Sequence, residues 1–196
     1  MIRQGQDTDK ETLKSLWKMC FPADSEKFIR LYFNKVYEND ETLVYIENEL
    51  PVASLQMIPY QIKAGDDLYM GGYISGAMTH PDYRKKGYMA QLLSASFDEM
   101  TKKEYDYTFL IPQEKHIVKF YEKYGFRLLE PNRYPPENKV LKSSEQWANM
   151  QQSFFNENGV WLVNEPFPPV EHKGMIKRLN PSAKDISALY MGMMLD

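Results

Sequence analysis

Arg84, Lys85, Lys86 and Gly87 stand directly before a run whose apolar residues, Met89, Leu92, Leu93, Phe97 and Met100, recur at helical spacing. A helix start needs only one small polar cap, so three successive cations and a glycine at the turn provide for something negatively charged. The first amides of a helix have no intrahelical acceptor and together carry about half an elementary positive charge. The backbone from Arg84 to Ala90, through Tyr88 and Met89, can therefore cradle an anion, and Gly87 lets it come close. The plainer reading of the same residues is a solvated basic helix start. There is no Gly-x-x-x-x-Gly-Lys-Ser/Thr run and no Gly-x-Gly-x-x-Gly run, which argues against a nucleoside-triphosphate loop and a dinucleotide fold.

The elements that must position this turn can be read on either side of it. "MIRQ" reads as a short strand, and "TDKETLKSLWKMC" as a helix with Thr8 and Glu11 as a capping box and Leu13, Leu16, Trp17 and Cys20 on one face. A second helix begins near Asp24 or Ser25 and carries Ile29, Tyr32, Phe33 and Val36. "TLVYIE", "PVASLQMIPYQIK" and "LYMGGYISGAMTH" then form an antiparallel meander with turns at "NEL" and "AGDD". Gly71, Gly72 and Gly76 weaken the third strand, which marks a bulge or the close approach of a backbone or ligand. That strand ends in "GAMTH" and feeds the basic turn. Its peptide groups can hold an amide-rich arm whose phosphates sit at the helix start, and a pyrophosphate on a peptide-like arm describes coenzyme A.

After the helix that Gly87 opens, "YDYTFLI" reads as a buried strand, "EKHIVKFYEKYG" as a helix stopped by Gly125, and "FRLL" as another strand. The alternation predicts a mixed α/β sheet with crossover helices. Beyond Glu130 a proline-rich connection leads to a helix around "SSEQWANMQQSFF" and two strand candidates, "GVWLV" and "KGMIKRL". Trp147, Phe154, Phe155 and Trp161 give this tail apolar anchors, so residues 131–196 are expected to pack as an extension on a domain of residues 1–130.

Composition excludes some function classes. Of 196 residues 43% are hydrophobic, and the formal net charge of −3 argues against a nucleic-acid partner. No apolar run nears the roughly 20 residues that span a bilayer, and the first residues lack a secretory signal, so a cytoplasmic protein without a membrane partner is expected. Cys20, the single cysteine, reads as a buried thiol rather than a nucleophile.

Taken together, "AMTHPDYRKKGYMAQLL", a following strand and "FYEKYGF" about thirty residues on resemble the GNAT superfamily of acetyl-CoA-dependent N-acetyltransferases. "HPDYRKKGYM" is most similar to its Eis-type branch. The resemblance is close over Gly71 to Phe126. It implies a central mixed, mostly antiparallel sheet flanked by helices, with a short C-terminal extension. It also implies that the backbone of Ala77, Met78 and Thr79 holds the pantetheine arm of acetyl-CoA, that Arg84 to Ala90 bind its pyrophosphate, and that no metal is needed. Two positions depart from the family pattern: Met89 stands where glycine or alanine is usual, and Glu114 where an asparagine is often found.

Acetyl transfer to an amine needs a neutral amine, a polarised carbonyl and a proton for the departing thiolate. Tyr121 matches the tyrosine of the family's "Tyr-Glu-Lys-x-Gly-Phe" motif and takes the last role; on periodicity alone it is one more aromatic on a buried stripe. His80, His116 and His172 read as capping or surface residues, which leaves water-mediated deprotonation of the amine. In Eis-type enzymes the chain's terminal carboxylate can reach the centre, which makes Asp196 a further candidate. The expected activity is acetyl transfer to a primary amine of a small molecule or peptide. The alternative is a coenzyme A-binding sensor or scaffold without catalysis. Exposed strand edges and many aromatics permit a homodimer.

Overall fold

The computed structural model describes residues 1–130, 138–140 (backbone only), 174–187 and 189. The chain divides into two compact units. Among the described residues the first holds Met1–Ile58 and Ile74–Ser96, and the second holds Pro59–Tyr73 and the residues from Phe97 onward.

In the first unit β1 (Ile2–Gln4), β2 (Thr42–Glu47), the start of β3 (Leu50–Ala64) and the end of β4 (Asp67–Thr79) are successive neighbours. The β2–β3 turn is tight because Asn48 and Glu49 both adopt left-handed backbone, φ 48° and 66°. Two residues, Gly65 and Asp66, join β3 to β4, a connection only an antiparallel pair can use.

Helices α1 (Lys10–Cys20) and α2 (Glu26–Lys35) bury the predicted apolar faces, and Ser25 caps α2 by accepting from the Phe28 amide at 3.1 Å. Trp17 lies 4.5 Å from the Tyr32 ring and 5.8 Å from that of Phe33. The cap of α1 differs from expectation. A 3-10 turn, Asp7–Asp9, precedes the helix, and Asp9 rather than Glu11 accepts from an upstream amide, that of Gln6, at 2.8 Å. The reason is Arg3 on β1, whose guanidinium grips the buried Asp9 carboxylate at 2.7 and 2.8 Å.

In the second unit β4 pairs in parallel with β5 (Tyr107–Leu110) at Gly71↔Tyr107, Gly72↔Thr108 and Tyr73↔Phe109. The short helix α4 (Val118–Glu122) leads to β6 (Arg127–Leu128), and β7 (Asn138–Val140) pairs with β3. β8 (Met175–Arg178), the core of the predicted "KGMIKRL" strand, lies between β5 and β6 and is antiparallel to both. α4 is shorter than its sequence promises, because residues 115–117 form a 3-10 turn. Among the described residues the result is an eight-stranded, mostly antiparallel sheet in a mixed α/β chain, as expected.

The glycines of β4 are explained by packing. A Cβ on Gly71 would lie 2.7 Å from Ile62, one on Gly72 would lie 2.2 Å from the Met100 sulfur, and one on Gly76 would lie 2.6 Å from the Trp17 ring. Gly76 also has φ +55°, a left-handed backbone that favours glycine. The helix around "SSEQWANMQQSFF", the "GVWLV" strand, the four aromatic anchors, His172 and Asp196 lie outside the described residues.

Candidate functional site

Helix α3 (Tyr88–Lys102) starts where the turn predicts. The Gln91 amide donates to the Gly87 carbonyl at 3.1 Å, the first bond of the helical series, so the amides of Tyr88, Met89 and Ala90 precede any intrahelical partner. Lys85 and Gly87 both have left-handed backbone, φ 64° and 81°, and Lys86 between them does not. Left-handed residues in such a turn can direct successive amides toward one side, as in an anion-binding concavity. A Cβ on Gly87 would meet nothing within 4 Å, so the space above the main chain is open. Arg84, Lys85, Lys86 and Gly87 are all exposed.

The three cations are not equivalent. Arg84 turns back to the end of β4: its Nε donates to the Thr79 carbonyl at 3.3 Å and its Nη2 lies 3.9 Å from Cys20 Sγ. Cys20 is half-buried rather than sealed in the core, and its thiol donates to the same carbonyl at 3.4 Å. Lys86 sits over the Tyr83 ring at 4.6 Å, while Lys85 has no partner among the described residues. Tyr88 stacks on Tyr45 with ring centroids 4.0 Å apart, and burial together with a hydrogen bond to Glu47 pushes its phenol up to about 12. The helix start is thereby anchored from β2, a contact between residues distant in sequence.

Ala77 and Thr79 are half-buried and Met78 is buried at the end of β4. Among the described residues the β4–β5 ladder ends at Tyr73, and in the first unit β4 is the last strand of the series. An edge strand offers main-chain donors and acceptors to an extended, amide-bearing ligand. The free amides of the turn, the open space above Gly87 and the end of β4 thus fit a pyrophosphate carried on a peptide-like arm.

Tyr121, in the second unit, is 8% exposed, and its ring meets those of Phe120 and Phe126 edge-on at 5.2 and 5.7 Å. Burial pushes its phenol up to about 12. Glu114 is exposed and pairs with His116 at 3.0 Å, and His80 Nδ1 lies 3.9 Å from a carboxylate oxygen of exposed Asp82, so two of the described histidines have a carboxylate neighbour. His80 caps a short turn, its Nδ1 accepting from the Asp82 amide at 3.3 Å. Among the described residues no group of three His, Cys, Asp or Glu side chains is arranged to hold a metal, and no helix is long and apolar enough to cross a membrane.

No curated protein matches this chain in sequence. Among solved structures, an N-acetyltransferase from Anabaena variabilis superposes with a TM-score of 0.59 at 16% identity over 66% of this chain and 32% of its own. Eis1 from Mycobacterium abscessus gives 0.56 at 11% identity, covering 64% of this chain and 31% of its own. YhbS from Escherichia coli, solved in complex with CoA, gives 0.62 at 14% identity over 97% of this chain and 88% of its own. The chain therefore spans about a third of the first of these proteins, and at such identities the likeness is one of fold. The model of the acetyltransferase (GNAT) domain matches residues 1–129, and the chain belongs to that family.

Proposed function

We propose that the protein is an acetyl-CoA-dependent N-acetyltransferase acting on a primary amine, with Ala77, Met78 and Thr79 along the pantetheine arm and the turn from Arg84 to Ala90 around the pyrophosphate. The observation that carries this is the turn itself: left-handed Lys85 and Gly87, open space above Gly87, and three free amides at the start of a fifteen-residue helix. The coenzyme A in the YhbS structure supports the same reading. "HPDYRKKGYM" supports a place near the Eis-type branch. A single, thiol-bearing cysteine fits a reducing cytoplasm.

When bound, acetyl-CoA supplies an acetyl thioester, whose C–S bond gives way to a C–N bond as one proton leaves the amine nitrogen and one reaches sulfur. The backbone amides of Tyr88, Met89 and Ala90 hold negative charge at the helix start, and Lys85 adds a mobile cation beside them. Arg84 contributes by bracing the Thr79 carbonyl, so its substitution acts through the shape of the strand end. Met89 in place of a smaller residue is compatible with binding, because these contacts run through the main chain. Tyr121 keeps its proton at neutral pH and serves as the hydrogen-bond donor to sulfur.

Thermal unfolding with and without millimolar acetyl-CoA tests the cofactor site, with Gly87→Glu placing bulk and negative charge where phosphate belongs. A ligand that binds only the folded form raises the melting temperature, and the rise is expected in wild type and not in Gly87→Glu. A wild type unmoved by the ligand overturns the reading. Release of free thiol on adding amines then separates an enzyme from a non-catalytic coenzyme A binder.

A further inference from the structure

Resting on that reading, a buried polar chain in the first unit bears on the acceptor. Tyr32 is 1% exposed, and its hydroxyl hydrogen-bonds Gln56 Oε1 and lies 2.9 Å from Ser75 Oγ. These residues come from α2, β3 and β4, and Gln56 is 4% exposed while Ser75 is half-buried. The surroundings are apolar and aromatic, with Trp17, Phe28 and Phe33 all within about 6 Å of the Tyr32 ring, ring centre to centre. Burying Tyr32 and Gln56 with their polar atoms in such a place, beside half-buried Ser75, stabilises less than an apolar packing of the same shape, which points to use.

Proton counting gives the chain a direction. A phenol has one proton, and Gln56 Oε1 can only accept, so the Tyr32 proton is committed to Gln56. Ser75 must then donate its own proton to Tyr32 Oη across the 2.9 Å contact. What Ser75 presents outward is a hydroxyl oxygen with its proton already used, a fixed hydrogen-bond acceptor.

The position of Ser75 follows from the strand. Phosphates at Arg84 to Ala90 and an arm along Thr79, Met78 and Ala77 run toward lower residue numbers, so the acyl end falls next to Gly76 and Ser75. The left-handed backbone at Gly76 turns the strand beside Ser75. A Cβ on Gly76 would meet Trp17 and Ser75 Oγ meets Tyr32, whose rings pack 4.5 Å apart, so two successive residues face the same helix pair.

We infer that Ser75 is an acceptor-positioning residue: its oxygen takes a hydrogen bond from the incoming nitrogen and so aims the lone pair at the acyl carbon, with Tyr32 and Gln56 holding its polarity. A primary amine has one N–H to give Ser75 and another to lose as the amide forms. A secondary amine has a single N–H for both, so the arrangement selects primary amines.

The test measures steady-state acetylation of spermidine, tryptamine and benzylamine, and of N-methylbenzylamine, by wild type, Ser75→Ala, Ser75→Thr and Tyr32→Phe. Calorimetric binding of the best amine to CoA-loaded protein is measured alongside. Loss of one hydrogen bond predicts a fall of about tenfold in kcat/KM and in amine affinity for Ser75→Ala, with the acetyl-CoA-dependent thermal shift intact. Ser75→Thr restores the wild-type values, and Tyr32→Phe, which frees the serine proton, behaves like Ser75→Ala. The preference of wild type for benzylamine over N-methylbenzylamine shrinks in Ser75→Ala. Amine kinetics and affinity unchanged in Ser75→Ala overturn this inference alone. A wild type that binds acetyl-CoA and acetylates none of the amines overturns the transferase reading, and this inference with it.

Discussion

Tyr121 is held among Phe120 and Phe126 with 8% of its surface exposed, and that burial keeps its phenol protonated until about pH 12. A thiol titrates near about 8.5, so outright transfer from such a phenol is uphill by about 3 to 4 pK units, or about 5 kcal/mol. The role we propose for it is a hydrogen bond that strengthens as charge gathers on sulfur. Tyr121→Phe removes that donor with little change of shape. The expected result is a kcat about 100-fold lower with the KM for acetyl-CoA within about twofold. The protonated phenol is the competent form and its pKa is raised, so its contribution persists through neutral and mildly alkaline pH and disappears only as pH rises through about 12. An alkaline fall in the wild-type rate near pH 9 would have to come from another group. A kcat within about threefold of wild type returns Tyr121 to the role of a packed ring. The motif singles out the tyrosine in the sequence. Ser75 is not singled out, because its partners Tyr32 and Gln56 lie 43 and 19 positions away in sequence on other elements and no local pattern links them.

Gly76 and Gly87 both have left-handed backbone, yet the structure loads them differently. At Gly87 an added methyl meets nothing, so Gly87→Ala costs only the backbone term of about 1 to 2 kcal/mol. At Gly76 the methyl would be 2.6 Å from a Trp17 ring that is itself wedged against Phe21, Tyr32 and Phe33. Gly76→Ala adds overpacking and should cost about 2 to 5 kcal/mol in urea unfolding. Equal costs for the two substitutions would show that β4 and α1 yield easily, and that the backbone at Gly76 is not fixed by the indole. Sequence flags both glycines for the same reason. Only the identity of the atoms facing each Cβ separates a glycine held by packing from one with open space above it. The cap of α1 was misread for a related reason: Thr8 and Glu11 satisfy the local pattern, but Arg3 reaches across from β1 and recruits Asp9. Burial there works against the Asp9 carboxylate, and the Arg3 and Gln6 hydrogen bonds more than offset it, leaving its pKa below the usual value.

The family match ends at residue 129, but the second unit does not close until β8 is added at Met175–Arg178. Sequence reading finds the strand in "KGMIKRL" and cannot place it, because neither periodicity nor chain order says that a strand 65 or more positions beyond β5 pairs next to it. In the fold β6 has only two residues, and among the described residues its partner is β8. The same segment ties down its neighbours: Leu129 donates to Gly174, Glu130 to Ser187, and Arg127 pairs with Asp185 at 2.6 Å. The Tyr107 hydroxyl, on β5, donates to the Lys184 carbonyl. A chain cut after Glu130 loses all of these together. β6 is left without a ladder, and β5, whose Tyr107, Thr108 and Phe109 are buried, gains an open edge. The shortened chain should therefore lose its cooperative thermal transition and near-ultraviolet circular dichroism while keeping much of its helical signal, since α1, α2 and α3 lie upstream of the cut. A fragment 1–130 that unfolds cooperatively at the full chain's melting temperature would show that the segment decorates the domain. Failure, together with recovery when residues 131–196 are supplied as a separate peptide, would make β8 part of the domain itself.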